Sequence, residues 1–189
     1  MAAFDPDKLH DPGGKVRLAL PDGVIGGAVF SACGRYRQSL SRDWAGAGEP
    51  ARSIMFLGMN PSTAGAEVSD PTCHREVGFA KRWGFNRYLK GNMLDWRATS
   101  PKDIPHDLVL ACSAANIPAI VAMAEEAEIV VMAYGKLHPR YGPIVNAIFD
   151  AVEASGKPLH CLGVNKDGSA KHPLYLRSDT ELRVFLRPG

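Results

Sequence analysis

The sequence predicts an α/β fold: a three-layer sandwich with a central, mainly parallel four-stranded sheet and an N-terminal antiparallel hairpin. Three observations predict it. Residues 53–57 and 129–133 are continuous apolar runs that close on a glycine-containing loop, the pattern of strands buried on both faces, and residues 88–94 and 159–164 read as two further strands. Helical stretches separate these segments, which implies parallel strands joined by right-handed crossovers. The polar, chemistry-bearing residues then follow the strands, and open sheets of this kind bind ligands at the carboxyl ends of their strands.

The first dozen residues, rich in Asp, Pro and Gly, read as a loose tail; the tail is placed at residues 1–26 and a single domain at 27–189. Ala28-Val29-Phe30 and Tyr36-Arg37-Gln38-Ser39-Leu40, with Cys33-Gly34 between them, read as a hairpin at the sheet edge. After a Gly/Pro connector, the strand at 53–57 leads into the loop Gly58-Met59-Asn60-Pro61-Ser62. Asp70-Pro71-Thr72 is a helix start, with a carboxylate at the N-cap and proline at the first helical position. Cys73, Val77, Ala80 and Gly84 fall on one stripe of that helix, and Gly84 ends it. The strand at 88–94 gives way to a loop over 95–101. Helical sequence resumes from about residue 118 to 126. Residues 139–154 form a helix with Ile144, Val145, Ile148, Phe149 and Val152 on one face and Gly156 just past its end. Lys171-His172-Pro173-Leu174-Tyr175 and a short amphipathic segment, 179–186, follow the last strand.

A chain of 189 residues suits one domain with a real core, and its 46% apolar and 22% charged composition is that of a globular protein rather than a disordered or fibrous one. Its apolar runs are too short to span a bilayer, and Asp5, Pro6 and Asp7 interrupt the place where a signal peptide would need an apolar stretch, so no membrane partner is expected. The four cysteines are scattered without a C-x-x-C pair, which suits free thiols in a reducing, cytoplasmic setting and argues against structural zinc. His74, His106 and His138 lack metal-ligand spacing, and neither a metal nor another cofactor is expected. The formal net charge of +2 does not make the whole chain a polyanion binder. Between Arg75 and Lys102, however, seven basic residues face two acids, a local basic stretch able to meet phosphates.

The candidate site gathers residues from four post-strand loops. Asn60 offers an amide donor and acceptor, Asn92 closes the second strand, Tyr134 follows the third, and His172 lies beyond the fourth. Gly58, Met59, Pro61 and Ser62 form the loop around Asn60, and Asp70 is an N-cap that also carries a carboxylate. Asp95 lies among apolar neighbours, where burial would raise its pKa as a general base requires. His172 precedes a proline, which holds its backbone extended, and its imidazole could stabilise charge developing on a leaving group. No phosphate loop, dinucleotide fingerprint or nucleophile elbow is present, which disfavours ordinary ATP, dinucleotide and serine-hydrolase chemistry.

Asn60-Pro61-Ser62-Thr63-Ala64, Asp70-Pro71-Thr72, Trp83-Gly84 and His172-Pro173-Leu174-Tyr175 together resemble a bacterial family of domains of unknown function over roughly residues 28–176. More remotely, a strand ending in Gly58-Met59-Asn60-Pro61 resembles the first motif of the uracil-DNA glycosylase superfamily, and His172-Pro173 resembles its second. The resemblance implies a protein that recognises a flipped pyrimidine in DNA, and in its enzymatic form hydrolyses the N-glycosidic bond. By this resemblance Asn60 positions the attacking water, Asn92 reads the pyrimidine edge, His172 stabilises the departing base, and Leu174 or Tyr175 is the wedge entering the duplex. No aspartate lies within the first motif, so activation of water would fall to Asp70 or Asp95. Two alternatives stay open from the residues: a non-catalytic nucleotide or nucleic-acid-binding module, and a hydrolase acting on small nucleotides. The partner is accordingly DNA or a nucleotide. The sequence leaves the oligomeric state open.

Overall fold

The computed structural model describes residues 12–13 and 16–188; residues 1–11, 14 and 15 of the tail expected at the start of the chain lie outside them. The first element, β1 (Leu18–Ala19), already belongs to a sheet. It is followed by β2 (Ile25–Phe30), β3 (Arg37–Asp43), β4 (Ser53–Gly58), β5 (Val68–Ser69), α1 (Pro71–Arg82), β6 (Arg87–Asn92), α2 (Leu108–Ala111), α3 (Asn116–Glu126), β7 (Ile129–Met132), α4 (Gly142–Ala154), β8 (Leu159–Cys161) and β9 (Arg183–Val184). β1 and β5 pair antiparallel as a small separate ribbon.

The main sheet has seven strands in the order β2-β3-β6-β4-β7-β8-β9. Its centre, β6-β4-β7-β8, is parallel throughout. The four central strands are those expected, and the hairpin lies at the sheet edge as read; the expectation is corrected only at the other edge. The hairpin β2–β3 is continuous with the sheet, because β3 runs antiparallel against β6 from Leu40 opposite Lys90 to Asp43 opposite Arg87. At the other edge the segment expected only to be amphipathic supplies β9, antiparallel to β8. Both residues of β9 are exposed, so no alternation marked it as a strand.

Alternation along β4 shows why the sheet needs cover on both sides. Met55 and Leu57 point into one apolar cluster, with Leu89, Met93, Ile120, Ile148 and Phe149. Ile54 and Phe56 point into the other, with Phe79, Ala80 and Tyr88. Helices α3 and α4 cover the first face and α1 covers the second. Gly91 keeps β6 close under α3, since a Cβ there would lie 2.8 Å from Met55 Cε and 3.2 Å from Ile120 Cγ1.

The ends of α1 follow from the local sequence. Asp70 Oδ1 accepts from Cys73 N at 2.8 Å, Pro71 needs no N–H at the first position, and Gly84 at φ +78° lets the chain leave in a left-handed turn. Helix α3 starts two residues earlier than the sequence suggests. Pro118 sits inside its first turn, where its missing N–H is not needed, and buried Asn116 donates from Nδ2 to Asn92 O at 3.0 Å. By length and composition Leu108–Glu126 is apolar enough to cross a membrane. In the fold it is divided between α2 and α3, and Ile120, Met123 and Ala124 of α3 are buried.

Candidate functional site

At the carboxyl ends of β4 and β6 the chain leaves a cleft of about 490 Å³, within the size range of small-molecule sites (~300–1,000 Å³). It opens there because neighbouring parallel strands end together: Gly58 lies opposite Asn92 in the β4–β6 register. Gly58, Met59, Asn60, Ser62, Asp70, Asn92, His172, Leu174 and Tyr175 all line it. Three other residues named from the sequence do not. Pro61 is buried behind the loop, where its carbonyl accepts from Ala98 N at 2.9 Å. Tyr134 is packed into the core, edge-on to Phe149 with ring centroids 6.1 Å apart. Asp95 is fully buried and accepts from both the backbone N–H (2.8 Å) and the hydroxyl of Ser113. Burial does raise the Asp95 pKa, as expected, but its carboxylate faces the α2–α3 junction rather than the cleft.

Within the cleft the amides are oriented by their partners. Asn60 Nδ2 donates to Pro61 O at 3.0 Å and to Ala98 O at 2.7 Å. Both N–H bonds are thereby spent on its own loop and the neighbouring one, which leaves the carbonyl Oδ1 as the group it can offer. Asn92 is set the other way. Its Oδ1 accepts from Arg37 Nη2 at 3.1 Å, and because a guanidinium has no acceptor, Nδ2 must be the atom turned elsewhere. That atom lies against Gly58, where a Cβ would come within 2.9 Å of Asn92 Nδ2 and 2.7 Å of Lys90 Nζ. The glycine is therefore required by the two side chains beneath it.

Beneath the cleft lies a polar network that the sequence reading missed. Tyr88, Lys90 and Asn92 alternate along β6 and so share the face toward α1. Lys90 Nζ donates to Glu76 Oε1 at 2.6 Å and Oε2 at 2.7 Å, and Tyr88 Oη donates to Glu76 Oε2 at 2.6 Å. All three are buried, with Lys90 only 4% exposed. Burial pushes the Glu76 carboxyl up, and the Lys90 ammonium pulls it back. Burial also pushes the Tyr88 phenol well above its usual range. The signal was present in Arg87-Tyr88-Leu89-Lys90-Gly91-Asn92, where polar groups recur at period two, at Tyr88, Lys90 and Asn92, inside an interior strand.

His172 stands across the cleft. Burial first, and the Lys90 charge second, hold its pKa down to about 4, so the imidazole is neutral at pH 7. Its Nδ1 accepts from Leu174 N at 3.3 Å, which places the proton of the neutral ring on Nε2. Cys73, also on the lining, has its thiol raised to about 12 by burial and stays protonated. Tyr175 rises at the mouth, 84% exposed, its ring 5.7 Å from that of His172. Among the described residues no group of three or more His, Cys, Asp or Glu is placed to hold a metal ion.

The basic stretch 75–102 does not form one face. Lys90 and Arg97 are buried, Arg87 pairs with Glu126 at 2.9 Å, Arg82 pairs with Glu181, and Arg75 donates to Leu176 O. Of that stretch, Lys90 and Lys102 reach the site, and the other cations near it come from elsewhere. Lys102, Lys136 and Arg140 line an adjoining hollow of about 380 Å³ that shares Met59 with the cleft. Lys136, Lys166 and Lys171 line another of about 520 Å³ that shares Gly135 and His172, with Asp167 as its acid. Together they form a basic trough whose centre is the cleft.

A family model described as "Protein of unknown function (DUF1643)" matches residues 35–174, which span the cleft from Arg37 to Leu174. Neither a curated protein nor a solved structure matches the chain.

Proposed function

The chain belongs to this family of proteins of unknown function, and from its cleft we propose that it recognises a pyrimidine displayed by DNA and hydrolyses its N-glycosidic bond, in the manner of the uracil-DNA glycosylases that its two motifs resemble. The observation that carries this reading is the meeting of Asn60, Asn92 and His172 in one cleft, from loops far apart in sequence. The basic trough suits a DNA backbone, and the exposed Tyr175 at the mouth suits the place a base has left.

The chemistry assigns each group a role. A water accepted by Asn60 Oδ1 is directed at the sugar carbon, and Asp70, the one carboxylate lining the cleft among the described residues, takes its proton. As the new C–O bond forms, the C–N bond breaks and its electron pair leaves with the base. Neutral donors, His172 Nε2–H and Asn92 Nδ2–H, meet the oxygens where that charge accumulates. Assays on oligonucleotides carrying one uracil or damaged pyrimidine, with hot alkali to turn each abasic site into a strand break, test the reading. Loss of activity in Asn60→Ala and His172→Ala with the fold intact supports it; wild-type rates in both sink it.

One observation favours a second reading. The Asn60 amide is already engaged with its own loop, as in a module that binds a base without cutting. Salt-sensitive DNA binding with no strand breaks identifies that case.

A further inference from the structure

The floor of the cleft holds a buried cation that, among the described residues, no carboxylate pairs with. Arg37 is 2% exposed and Lys90 4%, and both line the cleft. Among the described residues Glu76 is the only carboxylate at ion-pairing distance from Lys90, and none is at that distance from Arg37. The Arg37 guanidinium instead donates to Ala64 O at 2.8 Å and to Asn92 Oδ1, and its Nε has no hydrogen-bond partner. Asp70, on the opposite wall, is engaged with Cys73 N and pairs with neither cation. Glu76 therefore pairs with Lys90 alone, and the buried Arg37 guanidinium is held by neutral acceptors, in a medium where a charge without a counter-ion is expensive.

Arg42 makes the contrast. It is also buried without a carboxylate and its Nε too has no hydrogen-bond partner, but its guanidinium donates to Ser41 O, Gly65 O and Val68 O, and it does not line the cleft. It is a strut between β3 and the loop before β5. Arg37 differs in opening onto the space that Lys90 and Asn92 also face. What these three leave unpaired is all donor: the third ammonium N–H of Lys90, the Nδ2 hydrogens of Asn92 and the remaining guanidinium hydrogens of Arg37.

We infer that Arg37, Lys90 and Asn92 form a preorganised anion subsite at the cleft floor, which takes an acceptor-only anionic group such as a phosphate monoester or a carboxylate. The absence of a Cβ at Gly58 keeps the subsite open, because a methyl group there would sit 2.7 Å from Lys90 Nζ. The site requires neither base recognition nor bond cleavage, so it stands apart from the reading above. It extends that reading to ligands whose buried end carries charge.

The test is the melting temperature of the intact protein, titrated with sodium phosphate or sodium acetate against chloride at matched ionic strength. A saturable rise, roughly 5 °C or more at a hundredfold excess over Kd, is expected with at least one of the two anions. Phosphate alone points to a phosphate monoester, and acetate alone to a carboxylate. Arg37→Gln and Gly58→Ala are each expected to weaken the apparent affinity tenfold or more, and the rim double variant Lys166→Ala/Lys171→Ala to leave it within threefold. If Arg37→Gln does not fold, Gly58→Ala decides. No saturable rise with either anion overturns the inference. So does an undiminished rise in Gly58→Ala, or a rise abolished by the rim variant, which would place the anion in the trough.

Discussion

The ammonium of Lys90 lies 2.6 and 2.7 Å from the two carboxylate oxygens of Glu76, and the pair is sealed between α1 and β6 directly under the cleft. Removing one partner leaves the other charged and buried. Glu76→Ala or Lys90→Met alone should each cost about 3–5 kcal/mol in urea unfolding. The double variant Glu76→Leu/Lys90→Met should cost less than the sum of the two. Strict additivity would mean that the two side chains are not coupled.

Asp70 has two separable jobs. Serine keeps an N-cap oxygen for Cys73 N but offers no base, so Asp70→Ser should stay within about 0.5 kcal/mol of wild type while Asp70→Ala loses about 1 kcal/mol of helix stability. Base excision should disappear in both. Wild-type turnover in Asp70→Ser would remove Asp70 from the chemistry.

His172 gives a pH signature. Its folded pKa, about 4, lies below the 6.5 of an unperturbed imidazole, so on acidification the unfolded chain takes up the proton first. The contribution to stability is complete above pH 6.5 and is lost as pH falls from 6.5 to about 4, by on the order of 2–3 kcal/mol at most. His172→Gln should flatten that part of the stability profile. An NMR titration of the ring should show the neutral form persisting well below pH 6; a midpoint near 6.5 would show that the ring is not held neutral by its surroundings.

Tyr175 is exposed and contributes little packing, so Tyr175→Ala should leave the melting temperature nearly unchanged. Affinity for a uracil-containing oligonucleotide should fall by an amount corresponding to about 1–3 kcal/mol, with Tyr175→Phe restoring most of it. Equal binding by the wild-type and Ala proteins would exclude contact between this ring and nucleic acid.

The thiols should separate by burial. Cys33 is exposed and its pKa is lowered by a hydrogen bond from Ser31, whereas Cys73 and Cys161 are buried. Iodoacetamide followed by peptide mapping should label Cys33 first and leave Cys73 and Cys161 unmodified until the protein unfolds. Early labelling of Cys73 would mean that the cleft wall opens.

Several features were legible because they are local. The cap at Asp70, the stop at Gly84, the buried run of β4 and the loop beyond Gly58 each depend on a few neighbouring residues. Asn60, Asn92 and His172 could be brought together from the sequence because parallel strands deliver their following loops to one edge. β9 was not legible, since two exposed residues carry no period. Asp95 was misplaced because burial among apolar neighbours does not say which way a carboxylate points; here it points at Ser113.

The sequence by itself determined the class of fold, the ends of α1 and the loops that make the cleft. Only the tertiary structure decided what lies beneath them. Arg37 reaches Asn92 because β3, from a hairpin fifty-five residues away, is the neighbour of β6. Glu76 meets Lys90 because α1 lies on the face of β6 that carries Tyr88, Lys90 and Asn92. Strand order and the covering of each face are set by the packing of the whole core, so the charge at the floor of the Gly58 loop is a property of the assembled sheet.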